Sequence, residues 1–207
     1  MAPSKRKPLM LLISAPSGAG KTTLCTRLLT ACPGMRRAIT CTTRAPRDGE
    51  QDGVDYYFLD PATFLRRVES GHFLEHATVY GNSYGTLKSE VLGLLEQGVD
   101  VLINVDVQGA TSIRRAAVQD ALLGRALVSI FLTTRSMDIL EQRLRKRASD
   151  SEEVIQRRLA VARQEAAQWR HFDYLLLSDT PEEDVRRALT ILEAERLRCE
   201  RSEPLQF

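Results

Sequence analysis

An eight-residue loop, Ala15-Pro16-Ser17-Gly18-Ala19-Gly20-Lys21-Thr22, narrows the choice of fold more than any other feature of the chain. Small residues at these positions let consecutive backbone N–H groups turn inward onto phosphate oxygens, and a following helix adds its positive end. Lys21 is then placed to reach the β- and γ-phosphates, and the Thr22 hydroxyl to hold Mg²⁺. The strict pattern starts with glycine where Ala15 stands, but Gly18 and Gly20 remain. A glycine-rich turn between any strand and helix would look similar in isolation. Here the apolar run Leu9 to Ser14 precedes the loop, and a helical segment from Thr22 to Ala31 follows until Pro33-Gly34 ends it. That is the context a phosphate loop requires. A nucleoside triphosphate is therefore expected on Ala15 to Thr22, with Thr23 beside them.

The loop belongs to an α/β pattern. Leu9 to Ser14, Val101 to Val105, Leu127 to Leu132 and Tyr174 to Leu177 are short apolar runs of the kind buried on both faces of a parallel sheet. Helical stretches separate them, which implies βαβ crossovers. Asp60-Pro61 reads as an N-cap with proline at the first helical position. Ser149 with Glu152, and Thr180-Pro181 with Glu183, fit capping boxes. After Ser149, Ile155, Leu159, Ala162, Ala166 and Trp169 form one apolar stripe, expected to be buried. Residues 36 to 86 break the alternation. Their Thr, Tyr, Gly and Asp content and turn pairs such as Asp48-Gly49 predict a small, mostly β lobe inserted between the first helix and the second core strand.

Composition excludes more than it assigns. With 29 Lys and Arg against 27 Asp and Glu, the net charge of +2 offers no general nucleic-acid surface. Any anion site must come from local arrangement. Cys25, Cys32, Cys41 and Cys199 form no CxxC pair and have no histidine at zinc spacing. Leu9 to Ile13 is too short for a signal-peptide core, and no stretch reaches membrane-spanning length. The expectation is a cytoplasmic chain with no membrane or nucleic-acid partner, its oligomeric state open.

The insert carries Thr40-Cys41-Thr42-Thr43-Arg44-Ala45-Pro46-Arg47-Asp48-Gly49-Glu50, then Asp55-Tyr56, Phe73-Leu74-Glu75 and Tyr80-Gly81-Asn82-Ser83-Tyr84-Gly85-Thr86. With these motifs in order, the chain resembles guanylate kinases from the phosphate loop to about Asp179. The resemblance implies a P-loop kinase fold with a central parallel sheet, helices on both faces, an inserted GMP-binding lobe and a helical lid. It divides the single domain into a core of 9–35, 87–142 and 170–198, a lobe of 36–86 and a lid of 143–169. It implies transfer of the γ-phosphate of ATP to GMP, with Mg²⁺, in purine nucleotide metabolism and GMP recycling; dGMP is a second candidate acceptor.

The residues it assigns to GMP are Thr40, Arg44, Arg47, Glu50, Tyr56, Glu75, Tyr84, Thr86 and Asp106. Their chemistry is compatible. Arg44 and Arg47 can fork onto a dianionic phosphate, and Tyr56 and Tyr84 offer it hydroxyl donors. Glu75 suits the N1–H and exocyclic amine of guanine, with the Thr86 hydroxyl free to donate to O6. Adenine N1 would oppose that carboxylate with a second acceptor. Taken singly, the arginines read as solvated loop charges, Glu75 as a surface strand residue, and the tyrosines and Thr86 as strand formers.

Asn104-Val105-Asp106-Val107-Gln108-Gly109 closes a core strand at the edge where open α/β sheets bind ligands. By resemblance Asp106 contacts Mg²⁺ through water or hydrogen-bonds the acceptor; from the residues alone it equally reads as a helix cap. Asn104 replaces a residue that is usually acidic. Arg143 to Glu152 resembles the family's lid, whose Arg143, Arg147 and Arg158 are expected to join Lys21 and Arg44 around the phosphates. Ala148 replaces a usual glycine there, and Ser178 stands where an adenine-contacting asparagine is common. Three other readings compete: a kinase of this fold with another acceptor, a phosphopeptide-binding scaffold that has lost catalysis, and a GTPase-like switch. Glu75 with Thr86, intact Lys21 and Thr22, and the lack of an NKxD-type motif argue against them in turn.

Overall fold

The computed structural model describes residues 6–79, 81–146 and 152–202. Its elements run β1 (Met10–Ser14), α1 (Lys21–Ala31), β2 (Met35–Arg37), β3 (Thr40–Thr42), β4 (Tyr57–Phe58), α2 (Pro61–Glu69), β5 (Phe73–Val79), β6 (Asn82–Leu87) and α3 (Lys88–Glu96). The chain continues through β7 (Asp100–Asn104), α4 (Val107–Gln119), α5 (Ala121–Ala126), β8 (Leu127–Thr133), α6 (Met137–Arg145), α7 (Glu152–Ala166), β9 (Tyr174–Leu177) and α8 (Pro181–Arg196). Short 3₁₀ turns cover Ala167–His171 and Cys199–Arg201.

Five strands form a parallel sheet in the order β2-β7-β1-β8-β9. The unbroken apolar run of β1 has a direct explanation. Leu9, Leu11 and Ile13 pack into a core with α1 and α8, while Met10 and Leu12 pack into a second core with α3, α4 and α5. Both faces are covered, so neither parity of the strand can be polar. The chain crosses from one side of β1 to the other after β7, which puts the switch point at the end of β1.

The β-rich segment forms its own four-stranded sheet, ordered β4-β3-β6-β5, around a small core of Cys41, Phe64 and Phe73. The Phe64 and Phe73 rings stack with centroids 4.5 Å apart. Two expectations need correction. The central sheet has a fifth strand, β2, which pairs with β7 through Arg37 and so extends past the expected start of the insert at residue 36. Three residues of strand, of which only Met35 is buried, give no apolar run to detect. Trp169 is 40% exposed and sits on the 3₁₀ turn, because α7 stops at Ala166 and the helical period with it. Ile155, Leu159 and Ala162 are buried as expected, the first two with Leu144 of α6.

Helix ends follow ordinary capping chemistry. Asp60, Asp106, Asp120, Ser136 and Thr180 each accept a first-turn N–H at the helix they precede. Glu183 does not complete a box with Thr180; its carboxylate pairs with Arg186 and Arg187. The Ser149 box lies outside the described residues. Among the described residues no helix is long and apolar enough to cross a membrane.

Beside the start of β7 the first and last described residues are tied together. Arg6 bridges to Ser202, and the Lys7 N–H donates to the Arg201 carbonyl at 2.8 Å. Asp100, at the start of β7 and 1% exposed, accepts from Arg6, Arg196 and the Leu9 N–H.

Candidate active site

α1, like α3, lacks the side-chain cap found on α2, α4, α5, α6 and α8. Its N-cap is Gly20, at φ 104°, with no side chain capping the first turn. Gly18 is also left-handed, at φ 90°. The two glycines the loop retains are thus two that its backbone needs. A side chain at Gly18 would in addition meet Leu144 Cδ2 at 3.0 Å. The uncapped N–H groups open onto a cavity of about 530 Å³ lined by Ala15, Pro16, Ser17, Gly18, Gly20, Lys21, Thr22 and Thr23. Ala19 is fully buried and lies behind it. An uncapped helix start with clustered amides is an anion site.

A second cavity, of about 240 Å³, lies against the β-rich sheet. Strand register explains its lining. Thr40 of β3 and Glu75 of β5 both sit opposite Thr86 of β6, and Ala77 sits opposite Tyr84. Alternate residues of a strand share a face, so one row presents Thr40, Glu75, Tyr84 and Thr86 to the cavity, with Tyr56 beside them. The Tyr56 and Tyr84 rings meet edge-on at 6.3 Å. Glu75 is 7% exposed, and its Oε1 accepts the Thr86 hydroxyl at 2.7 Å. Burial pushes the Glu75 carboxyl above the ordinary carboxylate range. The Thr86 proton is thus already engaged, where the chemistry above had it free for guanine O6. In this arrangement Thr86 orients the carboxylate.

Lys21, Val79 and Asp106 line both cavities. The Lys21 Nζ donates to the Val105 carbonyl at 2.7 Å, and burial lowers its pKa against the pull of the nearby Asp106 carboxylate. Asp106 serves the capping role as well: its Oδ1 accepts the Gly109 N–H at 2.8 Å. Sequence reasoning missed Glu165, which enters the larger cavity from α7. Burial and Asp106 raise its pKa, while Lys21 and the Ser17 N–H dipole oppose the rise. Arg158, Val161 and Glu165 follow one another at helical spacing along this wall. Membership of that face with Arg158 was the signal available. Arg37, at the end of β2, lines the smaller cavity and carried no such signal.

Other expected residues are placed differently. Arg44 Nη2 is held by Glu50 at 2.8 and 2.9 Å, and its guanidinium lies 5.4 Å from the Tyr56 ring centre. The Glu50 carboxylate also accepts the Arg47 N–H, while the Arg47 side chain is exposed. Arg143 does not face the front of the loop. Its Nη1 donates to the Ala19 carbonyl at 3.1 Å and to Ser178 Oγ at 2.9 Å, and its Nη2 to the Asp179 carbonyl. It lines a third cavity, of about 360 Å³, with Gly20, Ser178 and Asp179. The reason is local: Ser178 and those two carbonyls are acceptors within reach. Asn104 lines the smaller cavity. Tyr80, Arg147 and Ala148 lie outside the described residues.

An uncapped phosphate loop at the switch point of a parallel sheet, adjoining a second polar cavity on the β-rich sheet, has the arrangement of a P-loop phosphotransferase. A family model described as guanylate kinase matches residues 5–195. The guanylate kinase of Cereibacter sphaeroides is 47% identical over 203 residues, covering 97% of this chain and 92% of its own. That of Rickettsia bellii is 44% identical over 193 residues, covering 93% of this chain and 97% of its own. A crystal structure of guanylate kinase from Anaplasma phagocytophilum superposes with a TM-score of 0.73 at 32% identity, over 96% of this chain and 92% of that one. The chain belongs to the guanylate kinase family.

Proposed function

We propose that the larger cavity holds the triphosphate of ATP on Ala15 to Thr23, and that the smaller holds GMP on Thr40, Arg44, Arg47, Glu50, Tyr56, Glu75, Tyr84, Thr86 and Asp106. The reaction is that of the family: the γ-phosphoryl group of ATP passes to GMP, giving ADP and GDP. One observation carries the assignment of sites. The two cavities meet at Lys21 and Asp106, so two anionic ligands entering from opposite sides bring their phosphates together there.

A GMP phosphate oxygen forms the new bond to the γ-phosphorus while the bond to the bridging oxygen breaks and its electrons leave on ADP. The attacking oxygen is already anionic, so no general base is required. Transfer then depends on positioning and on charge stabilisation. Lys21 leaves the Val105 carbonyl for the phosphates, and its positive charge follows the negative charge that spreads over the migrating group. Arg44 meets the GMP phosphate, and Arg158 approaches from α7. Glu75, oriented by Thr86, accepts from the guanine edge. Mg²⁺ fits this donor set: Thr22 and Asp106 supply hard oxygens on the cavity wall, and Mg²⁺ favours phosphate and water with few protein ligands. When bound it would neutralise the phosphate chain. Closure of the lobe (36–86) and the lid (143–169) excludes water, which would otherwise take the phosphoryl group. ATP and GMP are soluble metabolites, which suits a cytoplasmic setting and calls for neither nucleic acid nor a membrane.

The test is an ADP-coupled assay across the nucleoside monophosphates, dGMP included, with a crystal soaked in GMP. GMP should far exceed AMP as acceptor and lie against Glu75 and Arg44. Equal use of AMP, or GMP bound elsewhere, refutes the assignment.

A further inference from the structure

Gly109 is the third residue of α4, in its first turn with its N–H capped by Asp106, and glycine is a poorer helix former than alanine. What occupies the space of its missing side chain explains the exception. A Cβ at this position would come 3.0 Å from Glu75 Oε2, 3.0 Å from Val105 Cβ and 3.4 Å from Val105 Cγ1. The other Glu75 oxygen accepts the Thr86 hydroxyl at 2.7 Å. The carboxylate is therefore set between a donor on one side and a bare helix turn on the other. With the residue 7% exposed, its room to retreat lies toward the cavity. Val105 on the far side is also buried, and its carbonyl anchors Lys21.

We propose that Gly109 is a specificity-determining residue of the acceptor site: the absence of its side chain fixes how deeply the Glu75 carboxylate sits and so its reach to the guanine edge. Gly109 is a positioning residue, since it acts through Glu75. The proposal rests on the reading of the smaller cavity as the GMP site. A methyl group at this place displaces the carboxylate by a few tenths of an ångström into the space the base must fill. Small misplacements of a recognising group carry large kinetic costs.

The experiment is a double-mutant cycle of Gly109→Ala with Glu75→Asp, each variant measured for GMP and ATP KM, kcat, GMP-over-AMP selectivity and Tm. The shorter aspartate withdraws from the methyl group. Gly109→Ala should raise the GMP KM about tenfold and lower GMP selectivity in the parent, a change of about 1.4 kcal/mol. In the Glu75→Asp background it should cost less than about twofold, by the same free-energy scale. ATP KM should hold in both. An equal cost in the two backgrounds, or loss of folding in both, overturns the proposal, because the glycine would then serve only packing against Val105. Glu75→Gln separates the two readings. If it leaves GMP use unchanged, the acceptor site itself is misassigned. If it weakens GMP while Gly109→Ala does not, only the role of Gly109 falls.

Discussion

Replacing Asp100 with asparagine removes one negative charge from the ion cluster beside the start of β7 and leaves its shape nearly unchanged. Oδ1 of Asp100 accepts Arg6 Nη1 at 2.8 Å and the Leu9 N–H at 3.0 Å, while Oδ2 accepts from Arg6 Nη2 and from Arg196 Nη2 at 2.9 Å. Asparagine keeps one oxygen for the first pair and turns an amide N–H₂ toward two guanidinium donors. Removing one partner of a fully buried ion pair costs about 3–5 kcal/mol. The Arg6 and Arg196 side chains are 34% and 24% exposed, so water recovers part of that. The expected loss is about 2–4 kcal/mol, or about 4–16 °C in Tm for a chain of this length. The pH dependence follows from the carboxyl. Burial pushes its pKa up, but Arg6, the Leu9 N–H and Arg196 more than offset this and hold it below the ordinary range. An unfolded aspartate titrates near about 3.9. The folded protein therefore releases the proton more readily, the stabilisation is complete above that value, and it is lost as pH falls through the lower folded pKa. Urea melts of both proteins at neutral pH and through the acid range would measure the gap. It should be full near neutrality and shrink with acid, with kcat at low temperature unchanged. Equal midpoints at neutral pH, or a gap indifferent to acid, would refute this account.

Other outcomes concern the cleft. Lys21→Ala should lower kcat about 10²- to 10³-fold while leaving Tm nearly unchanged, as steady-state kinetics and calorimetry would show; normal GDP formation would sink the donor assignment. Arg44→Ala should raise the GMP KM far more than the ATP KM, because Glu50 then faces the incoming phosphate uncompensated. Burial holds the Glu75 pKa above the usual carboxylate range, so GMP affinity should fall with acid at a pH above the ordinary glutamate value of about 4.3, and Glu75→Gln should abolish that dependence. A raised folded pKa also means that ionised Glu75 costs stability at neutral pH, so Glu75→Gln should melt higher while binding GMP less well. Glu165→Gln removes a negative charge beside the larger cavity and should tighten binding of a non-hydrolysable ATP analogue in calorimetry; weaker binding would mean the carboxylate helps to hold the donor.

How much of this was legible depends on what each feature rests on. The parallel sheet was visible because β1, β7 and β8 are covered on both faces and carry apolar runs, interrupted only by a few buried polar residues such as Ser129 and by polar residues at the strand ends. β2 was not visible, since two of its three residues face solvent and its pairing with β7 is backbone chemistry. Among the cleft residues, Lys21 is written into a local motif, whereas Glu75 was singled out only by the family resemblance. Glu165 is brought to the loop by the packing of α7, and only its helical spacing from Arg158 hinted at it. Arg143 was read as a phosphate ligand from its place in the lid, but the Ala19 carbonyl and Ser178 compete for its guanidinium, and that competition exists only once the chain is folded. Gly109 stood in a quoted motif without a role because the contact that explains it comes from a strand more than thirty residues earlier.

The pairing of Arg6 with Ser202 has a practical consequence. β7 enters the sheet at Asp100, next to this pair, and leaves it at Asn104, which lines the smaller cavity. At about 3.3 Å per residue, the four steps between them set the two roughly 13 Å apart, at opposite ends of the strand. A label or a tether to a solid support attached at the exposed Ser202 therefore sits at the far end of β7 from the cavities, and the mouth through which nucleotides come and go stays open to solution.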